Sequence, residues 1–203
     1  MVRECVRRSE CIFTAIVLLG LAAPASAQQV DAPVRFGLGY VANAPEMMAG
    51  ISGTVVFPSF GGIGLYVDAK FNVDSPSREV DFLGGRTALD VENTVPGVSF
   101  RDHKDSYQAF NVALVRPVNP SLMIYAGGGV ATMTRYRQYK DPTEELGRAG
   151  FFWVEAPDEE ATEANLLVGL LMKITPLLHM QTGFETGPKG FTVGATFLIP
   201  RID

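Results

Sequence analysis

An alternation of apolar and polar residues over positions 63–73 is the feature that most limits what this chain can fold into. Every second residue from Ile63 to Val73 is apolar, and the residues between them include Asp68 and Lys70. Successive side chains leave opposite faces of a β-strand, so this period predicts a strand with one apolar and one polar face. A soluble β-protein turns the apolar face toward its core, whereas a membrane barrel turns it toward lipid and encloses the polar face.

Seven further segments alternate in the same way, which gives eight predicted strands in total. The strands are expected at residues 34–41, 47–57, 63–73, 106–115, 122–139, 162–174, 178–185 and 191–199. Most are close to the length of about 9–11 residues that a tilted strand needs to cross a membrane. The connections after the second, fourth and sixth strands are short, whereas those after the third and fifth are long and polar. This distribution is typical of an outer-membrane barrel with short periplasmic turns and long external loops.

The start of the chain has the pattern of a secretory signal peptide, so we expect residues 1–27 to be removed and the barrel to occupy residues 28–203. Basic residues precede an apolar run at positions 12–23, and small residues of an A-x-A site end at Ala27. Cleavage is therefore expected before Gln28. The apolar run is shorter than the roughly 20 residues that a spanning helix needs. Both cysteines of the chain lie in this segment, so the mature protein is expected to have no disulfide.

The composition of the mature chain argues against several functional classes. It keeps 14 of the 17 Lys and Arg residues and 20 of the 22 Asp and Glu residues, a net charge of −6. No basic patch suggests a nucleic-acid partner. The sequence contains no phosphate-binding loop and no nucleophile elbow. We therefore expect a protein that is not an enzyme and that has no cofactor, no catalytic residues and no metal site.

The polar faces of the strands would meet inside a closed barrel. An eight-stranded barrel has an interior that side chains just fill, and charges buried there must be paired. We expect Tyr66 and Asn165 to face this interior. The polar network predicted to fill the lumen, with a structural role, consists of Arg35, Asp68, Lys70, Asn111, Lys173, His179, Gln181 and Glu185.

An apolar triplet interrupts the second long polar connection. Phe151, Phe152 and Trp153 are flanked by acidic residues on both sides. Exposed together, they would form a candidate surface patch for a partner. The alternative is that the triplet continues a strand beyond the bilayer or packs over the barrel mouth.

The signal pattern, the eight alternating strands and the final strand at residues 190–197 together resemble the small eight-stranded outer-membrane β-barrel proteins of Gram-negative bacteria. The resemblance implies an all-β fold, an eight-stranded antiparallel up-and-down transmembrane barrel in the cell outer membrane. It also implies contact with outer-membrane lipid and assembly by the barrel-assembly machinery. Such proteins typically end in an aromatic residue, whereas here Phe197 is followed by six more residues.

The function expected from these patterns is a structural or surface-interaction role, with a surface ligand that the sequence does not identify. One alternative is a narrow pore or transporter for small molecules. Another is a soluble periplasmic lipid-binding β-barrel, because an alternating pattern is unchanged when inside and outside are exchanged. The position of residues such as Leu65 and Asp68 distinguishes the membrane barrel from the soluble one.

Overall fold

A computed structural model describes residues 34–199, so the predicted signal peptide, its cleavage site and the last four residues lie outside the described part. Within that range ten strands form one sheet. The strands are β1 (Arg35–Ala44), β2 (Met48–Phe57), β3 (Ile63–Asn72), β4 (Phe82–Thr87), β5 (Ser99–Asn119), β6 (Leu122–Lys140), β7 (Phe151–Glu155), β8 (Ala161–Lys173), β9 (Leu178–Glu185) and β10 (Gly190–Leu198). The connections contain helix α1 (Ala88–Thr94) and the 3-10 turns Pro58–Phe60, Pro76–Arg78 and Pro157–Glu159.

Eight of these strands, all except β4 and β7, form a closed antiparallel barrel. Each pairs with its neighbours in the chain, with β3 joined to β5 and β6 joined to β8 across the long connections. The last strand, β10, pairs with β1 and closes the ring. Closure leaves no free strand edge in the wall, which is a requirement for a sheet that crosses a bilayer. The eight-stranded up-and-down barrel predicted from the sequence is confirmed.

The apolar rows of the barrel strands face outward. Leu65, Val112 and Val193 are 43%, 42% and 57% exposed, whereas Asp68 and Lys70 on the opposite face are 2% and 0% exposed. In water each large apolar side chain left exposed would forgo about 1.5–3 kcal/mol of burial free energy. The outer surface is therefore suited to hydrocarbon. The soluble lipid-binding alternative is wrong, because it requires these apolar rows to form the core.

The two ends of the barrel differ. Strands β1, β2 and β3 have 10 residues each, enough for a tilted crossing of the hydrocarbon. The connections after β2, β5 and β8 are short turns at one end, and both long connections lie at the other. Long loops mark the external side of such barrels, so we call the end with the short turns the periplasmic end. No helix within residues 34–199 is long and apolar enough to span a membrane.

The two long connections are more ordered than the sequence predicted. Strand β5 has 21 residues and begins at Ser99, not at residue 106, and its hairpin with β6 continues past the barrel. Strand β7 pairs with the external part of β6, and β4 pairs in parallel with β7. We call residues 74–105 and 134–160 the external platform. Alternation did not reveal its strands because they leave the lipid, where one face no longer has to be apolar.

Candidate functional site

A buried ammonium group lies between two carboxylates at the centre of the lumen. Lys70 on β3 lies 2.7 Å from Oε1 of Glu185 on β9 and 3.0 Å from Oδ1 of Asp68 on its own strand. All three side chains are fully enclosed. Period-two geometry puts Asp68 and Lys70 on one face of β3, and closure of the barrel brings β9 opposite them. A charge this deeply buried is tolerated only when it is paired and hydrogen-bonded.

Three asparagines complete the hydrogen bonds of Glu185. Asn43 Nδ2 donates to its Oε1 at 3.0 Å, while Asn111 Nδ2 and Asn165 Nδ2 donate to its Oε2 at 3.0 and 2.8 Å. Asn111 Nδ2 also lies 2.9 Å from Asp68 Oδ1. Both carboxylates are thus held by donors from several different strands. The cluster ties opposite walls of the barrel together and fills the space between them.

The hydrogen-bonded chain continues toward the periplasmic end through a tyrosine and a glutamine. Tyr66 donates its hydroxyl hydrogen to Asp68 Oδ2 at 2.9 Å, and Gln181 Nε2 donates to the Tyr66 oxygen at 3.0 Å. Gln181 Oε1 accepts from the hydroxyls of Thr196 and Ser52 at 3.1 and 3.4 Å. We call this connected set the lumen network. It consists of Asn43, Ser52, Tyr66, Asp68, Lys70, Asn111, Asn165, Gln181, Glu185 and Thr196.

An aromatic stack occupies the lumen beside this network. The rings of Tyr66 and Tyr125 are nearly parallel, with centroids 4.7 Å apart. The Tyr125 ring lies over Gly169 and Gly183, which are paired on β8 and β9. A methyl group on Gly169 would come within 2.3 Å of the Tyr125 ring, so glycine is needed for the tyrosine to fit. Side chains therefore occupy the lumen at this level.

The eight residues predicted for the lumen divide between two places. The structure joins Asp68, Lys70, Asn111, Gln181 and Glu185 in the lumen network. Arg35 and Lys173 are exposed at the periplasmic end, and His179 lies buried next to them. None of these three has a hydrogen bond to the network within residues 34–199.

Arg35, Lys173 and His179 therefore do not belong to the lumen network, and this part of the sequence prediction needs correction. His179 is buried, whereas Arg35 and Lys173 are exposed. The alternation along β1 and β8 puts Arg35 and Lys173 on the lumen-facing side, but each residue lies near the periplasmic end of its strand. Alternation determines on which face of a strand a side chain lies, but it does not determine how far along the barrel axis the side chain lies. The ends of the strands reach water, and long cationic side chains stay there because hydration stabilises them.

Asn43 is a member of the network that sequence reasoning missed. The sequence pattern predicts that the first strand ends at residue 41 and that residues 42–45 form a connection. In the structure β1 continues to Ala44, which brings the Asn43 side chain inside the barrel. The alternation of Val41 and Asn43 on one face was the available signal.

The external platform has an apolar core of its own. Helix α1 packs on the face of the sheet that carries Tyr139, and the Tyr139 and Phe152 rings are stacked with centroids 6.1 Å apart. The helix begins with a capping box, in which the Thr87 hydroxyl and the Asp90 carboxylate each accept a backbone N–H from the other residue. The buried members of this core are Ala88, Val91, Tyr139, Phe152, Val154 and Ala156.

The aromatic triplet at residues 151–153 is not an exposed patch. Phe152 is fully buried and Trp153 is 7% exposed, whereas Phe151 alone is 40% exposed. The residues lie on β7, so their side chains alternate between two faces, and the platform covers both. The candidate surface patch is thus corrected: Phe152 belongs to the apolar core of the platform, and Trp153 is buried on the other face of β7.

Salt bridges join helix α1 and the turn Pro157–Glu159 to the β5–β6 hairpin. Arg135 on β6 binds Asp105 on β5 through two hydrogen bonds of 2.7 and 2.9 Å and Glu159 at 2.9 Å. Arg137 binds Glu159 and also Glu92 of helix α1. The hydrogen bonds from Arg135 lower the pKa of the Asp105 carboxyl, and those from Arg135 and Arg137 lower the pKa of Glu159.

The platform is the acidic part of the molecule. Its residues include eight Lys and Arg against fourteen Asp and Glu, a net charge of −6. It also exposes single apolar side chains, with Val80 at 88%, Leu89 at 62% and Phe100 at 53%. Within residues 34–199 there is no cluster of His, Cys, Asp and Glu that could hold a metal ion.

Comparisons with known proteins find structural likeness only. The sequence matches no protein-family model and no curated protein. Among solved structures, the chain is similar to Ail, the attachment invasion locus protein of Yersinia pestis, in complex with the heparin analogue sucrose octasulfate. The identity is 9%, with 82% of this chain and 97% of that chain covered, at a TM-score of 0.46.

Two further solved structures show a comparable likeness. One is a major outer membrane protein from Thermus thermophilus, with 11% identity, 83% of this chain and 100% of that chain covered, and a TM-score of 0.46. The other is the N-terminal β-barrel domain of Pseudomonas aeruginosa OprF, with 10% identity, coverages of 82% and 96%, and a TM-score of 0.41. The barrel assignment itself rests on strand closure and on the outward apolar rows of this chain.

Proposed function

We propose that this eight-stranded outer-membrane β-barrel is a non-enzymatic surface-interaction protein whose external platform binds a basic macromolecule. The observation that carries the proposal is the apolar core of Tyr139, Phe152 and Val91 at the external end. A loop that only connects two strands does not need such a core. A rigid, folded surface outside the membrane lowers the entropy cost of binding a partner.

The chemistry of the partner follows from charge. The net charge of the mature chain, −6, is equal to that of the platform, so the positive and negative charges in the rest of the mature chain cancel. Glu79, Glu145, Asp158 and Glu160 are exposed, and within the described residues no salt bridge occupies them. Free carboxylates steer and bind a positively charged surface, with a strength that falls as salt is added.

The lumen counts against the alternative of an open pore. Lys70, Glu185 and Tyr125 are 0–1% exposed and fill the centre of the barrel. Eight strands leave an interior that side chains just fill. We expect the purified protein to give no single-channel conductance in planar bilayers, and reproducible channels would make the pore the better proposal.

The same interior argues against catalysis. Every oxygen of Glu185 already accepts two hydrogen bonds or ion contacts, so this carboxylate is not available as a general base. His179 lies six positions away on the same strand. We therefore include the absence of enzymatic activity in the proposal. Assembly by the barrel-assembly machinery, with Phe197 on the outward face of β10, is part of it as well.

The binding proposal can be tested with the protein in nanodiscs of zwitterionic lipid and a basic protein, cytochrome c, as the probe. Replacing Glu79, Glu145, Asp158 and Glu160 by their amides should weaken binding about tenfold, since exposed charge pairs contribute about 0.2–1 kcal/mol each. The matched control replaces the exposed Arg78, Arg86, Arg101 and Arg148 by Gln and should strengthen binding. Equal affinity of all three proteins would contradict the proposal.

A further inference from the structure

A cavity of about 210 Å³ opens at the periplasmic end of the barrel. Its charged and titratable lining residues are Arg35 on β1, Lys173 on β8 and His179 on β9. Pro58, in the turn after β2, and Pro117, near the periplasmic end of β5, contribute apolar walls. The cavity is smaller than the roughly 300–1,000 Å³ of pockets for drug-sized ligands, so it is suited to a small group.

The charge of this cavity is of one sign. No Asp or Glu is among the residues that line it. Within residues 34–199, no salt bridge involves Arg35 or Lys173. Two cations that face one cavity repel each other, and an anion between them would relieve that repulsion. The lumen network has the opposite arrangement, with its one cation held by two carboxylates.

A buried histidine is the second, independent sign of a ligand. His179 is 6% exposed, lies directly opposite Lys173 in the β8–β9 ladder, and lines the cavity. Its imidazole has no hydrogen-bond partner in the described part of the chain. The charges of Lys173 and Arg35 both act on the ring. Its ring nitrogens are not among the buried unpaired polar atoms of the described residues, so they are accessible from the cavity, where a ligand can accept a hydrogen bond from the imidazole.

We propose that Arg35, Lys173 and His179 form a binding site for a phosphate group carried on a small organic moiety. The planar guanidinium of Arg35 can bind two phosphate oxygens at once, and Lys173 supplies a compact positive charge. The His179 imidazole, which lines the same cavity, donates a further hydrogen bond. The apolar prolines receive the organic part. The site is independent of the proposed external binding surface, because it lies at the opposite end of the barrel.

Two sources could supply such a group. One is a soluble phosphate ester of the periplasm, and the other is the headgroup of an anionic phospholipid in the periplasmic leaflet. Both present the same phosphate oxygens to the site. The experiment therefore has one arm for each source, and both arms use the whole mature chain.

The first arm titrates glycerol 3-phosphate into the protein in a phosphate-free maltoside detergent and follows binding by calorimetry. Glycerol is the neutral comparison and should not bind. We expect saturable binding that the variant Arg35→Gln/Lys173→Gln weakens at least about tenfold, the size expected for loss of charge-assisted hydrogen bonds. His179→Gln, which keeps both cations, should weaken it less. The matched control Arg78→Gln/Arg101→Gln removes two exposed external arginines and should leave binding unchanged.

The second arm purifies the same proteins from vesicles that contain equal amounts of phosphatidylglycerol and phosphatidylcholine. Mass spectrometry then measures the lipid retained on each barrel. Selective retention of phosphatidylglycerol by the wild type but not by Arg35→Gln/Lys173→Gln assigns the site to the lipid headgroup. Binding of glycerol 3-phosphate without such retention assigns it to a soluble ester. Heat-dependent gel mobility confirms that each variant is folded, and folded proteins that show neither form of binding overturn the proposal.

Discussion

The ammonium group of Lys70 lies 2.7 Å from Glu185 in a region of the barrel lumen where neither side chain is exposed. The pair joins β3 to β9, strands that are not neighbours in the sheet. Lys70, Glu185 and Asp68 together carry two negative charges and one positive charge, so removal of the lysine leaves both carboxylates uncompensated. The stability of the barrel should therefore depend strongly on this one side chain.

The variant Lys70→Met should lower the free energy of unfolding by about 3–5 kcal/mol, the cost of breaking a buried ion pair from one side. Urea titration in lipid vesicles, followed by gel mobility, measures the change. Lys189→Met, at an exposed external turn, is the control and should alter stability little. Adding Asp68→Asn to Lys70→Met should restore part of the loss, because it removes one unpaired charge. A Lys70→Met barrel as stable as the control would show that the ion pair contributes nothing.

Gly169 should tolerate no side chain while Tyr125 keeps its position. The Cβ of an alanine there would lie 2.3 Å from the ring carbon that bears the hydroxyl. Gly169→Ala should destabilise the barrel by about 1–3 kcal/mol, as overpacking in a close-packed interior does. Gly84→Ala in β4, whose nearest neighbour would be the Phe82 ring at 3.6 Å, should have little effect.

The coupling between Gly169 and Tyr125 can be measured with a double-mutant cycle. In a Tyr125→Ala background the ring is gone, while the backbone oxygen of Thr182 still lies 2.4 Å from the added Cβ, so Gly169→Ala should cost less than in the wild type without becoming neutral. Unfolding free energies of the four proteins in lipid vesicles give the interaction term. Equal costs in both backgrounds would mean that the clash with Tyr125 is not the reason for the glycine.

The barrel was predictable from the sequence because lipid imposes alternation. Strand β9 covers residues 178–185 as predicted, since its Met180 and Phe184 must face hydrocarbon while Gln181 and Glu185 are enclosed. The platform lacks that constraint. Strand β7 has only five residues, and it packs Phe152 and Trp153 on opposite faces, so its pattern is a plain apolar run.

The sequence predicts which residues of the candidate site face the lumen, but it does not predict how far along the barrel axis they lie. Period-two reasoning placed Asp68 and Lys173 on the lumen side alike, and the structure separates them by position along the strand. Pairing across the lumen, as between Lys70 and Glu185, depends on register and closure, which are long-range properties. Asn43 was missed for a local reason, since the alanines on either side of it and the following Pro45 suggested a turn.

Acid should loosen the external platform before it affects the barrel. The pKa values of Asp105 and Glu159 are lowered by their hydrogen bonds with Arg135, with Arg137 also acting on Glu159. A lowered folded-state pKa gives stability that is present above the unfolded-state value of about 4 and is lost as pH falls through the folded value. The platform should therefore open below about pH 4. Trp153, the one tryptophan of the chain, should then shift its fluorescence to longer wavelength.

The variant Arg135→Gln tests the cause of that acid sensitivity. It removes the partner of Asp105 and one of the two partners of Glu159, so the fluorescence of Trp153 should depend less on pH than in the wild type. Arg101→Gln, at an exposed arginine in the same platform, should keep the wild-type profile. Circular dichroism of the strands, which reports mainly on the barrel, should stay constant through the transition. An unchanged profile in Arg135→Gln would place the acid-sensitive contact elsewhere.

The outward direction of the apolar rows predicts how the barrel responds to a charge at mid-height. Val112 is paired with Val67 near the middle of the wall, and both side chains point to the lipid side. Val112→Arg should lower the unfolding free energy in lipid vesicles by about 2–4 kcal/mol, the cost of a cation at the bilayer midplane. Val80→Arg, at a residue 88% exposed in the external platform, is the control and should change stability by less than about 0.5 kcal/mol. If both variants were equally stable, the row that contains Val112 would not face hydrocarbon, and the orientation of the whole barrel would have to be reversed.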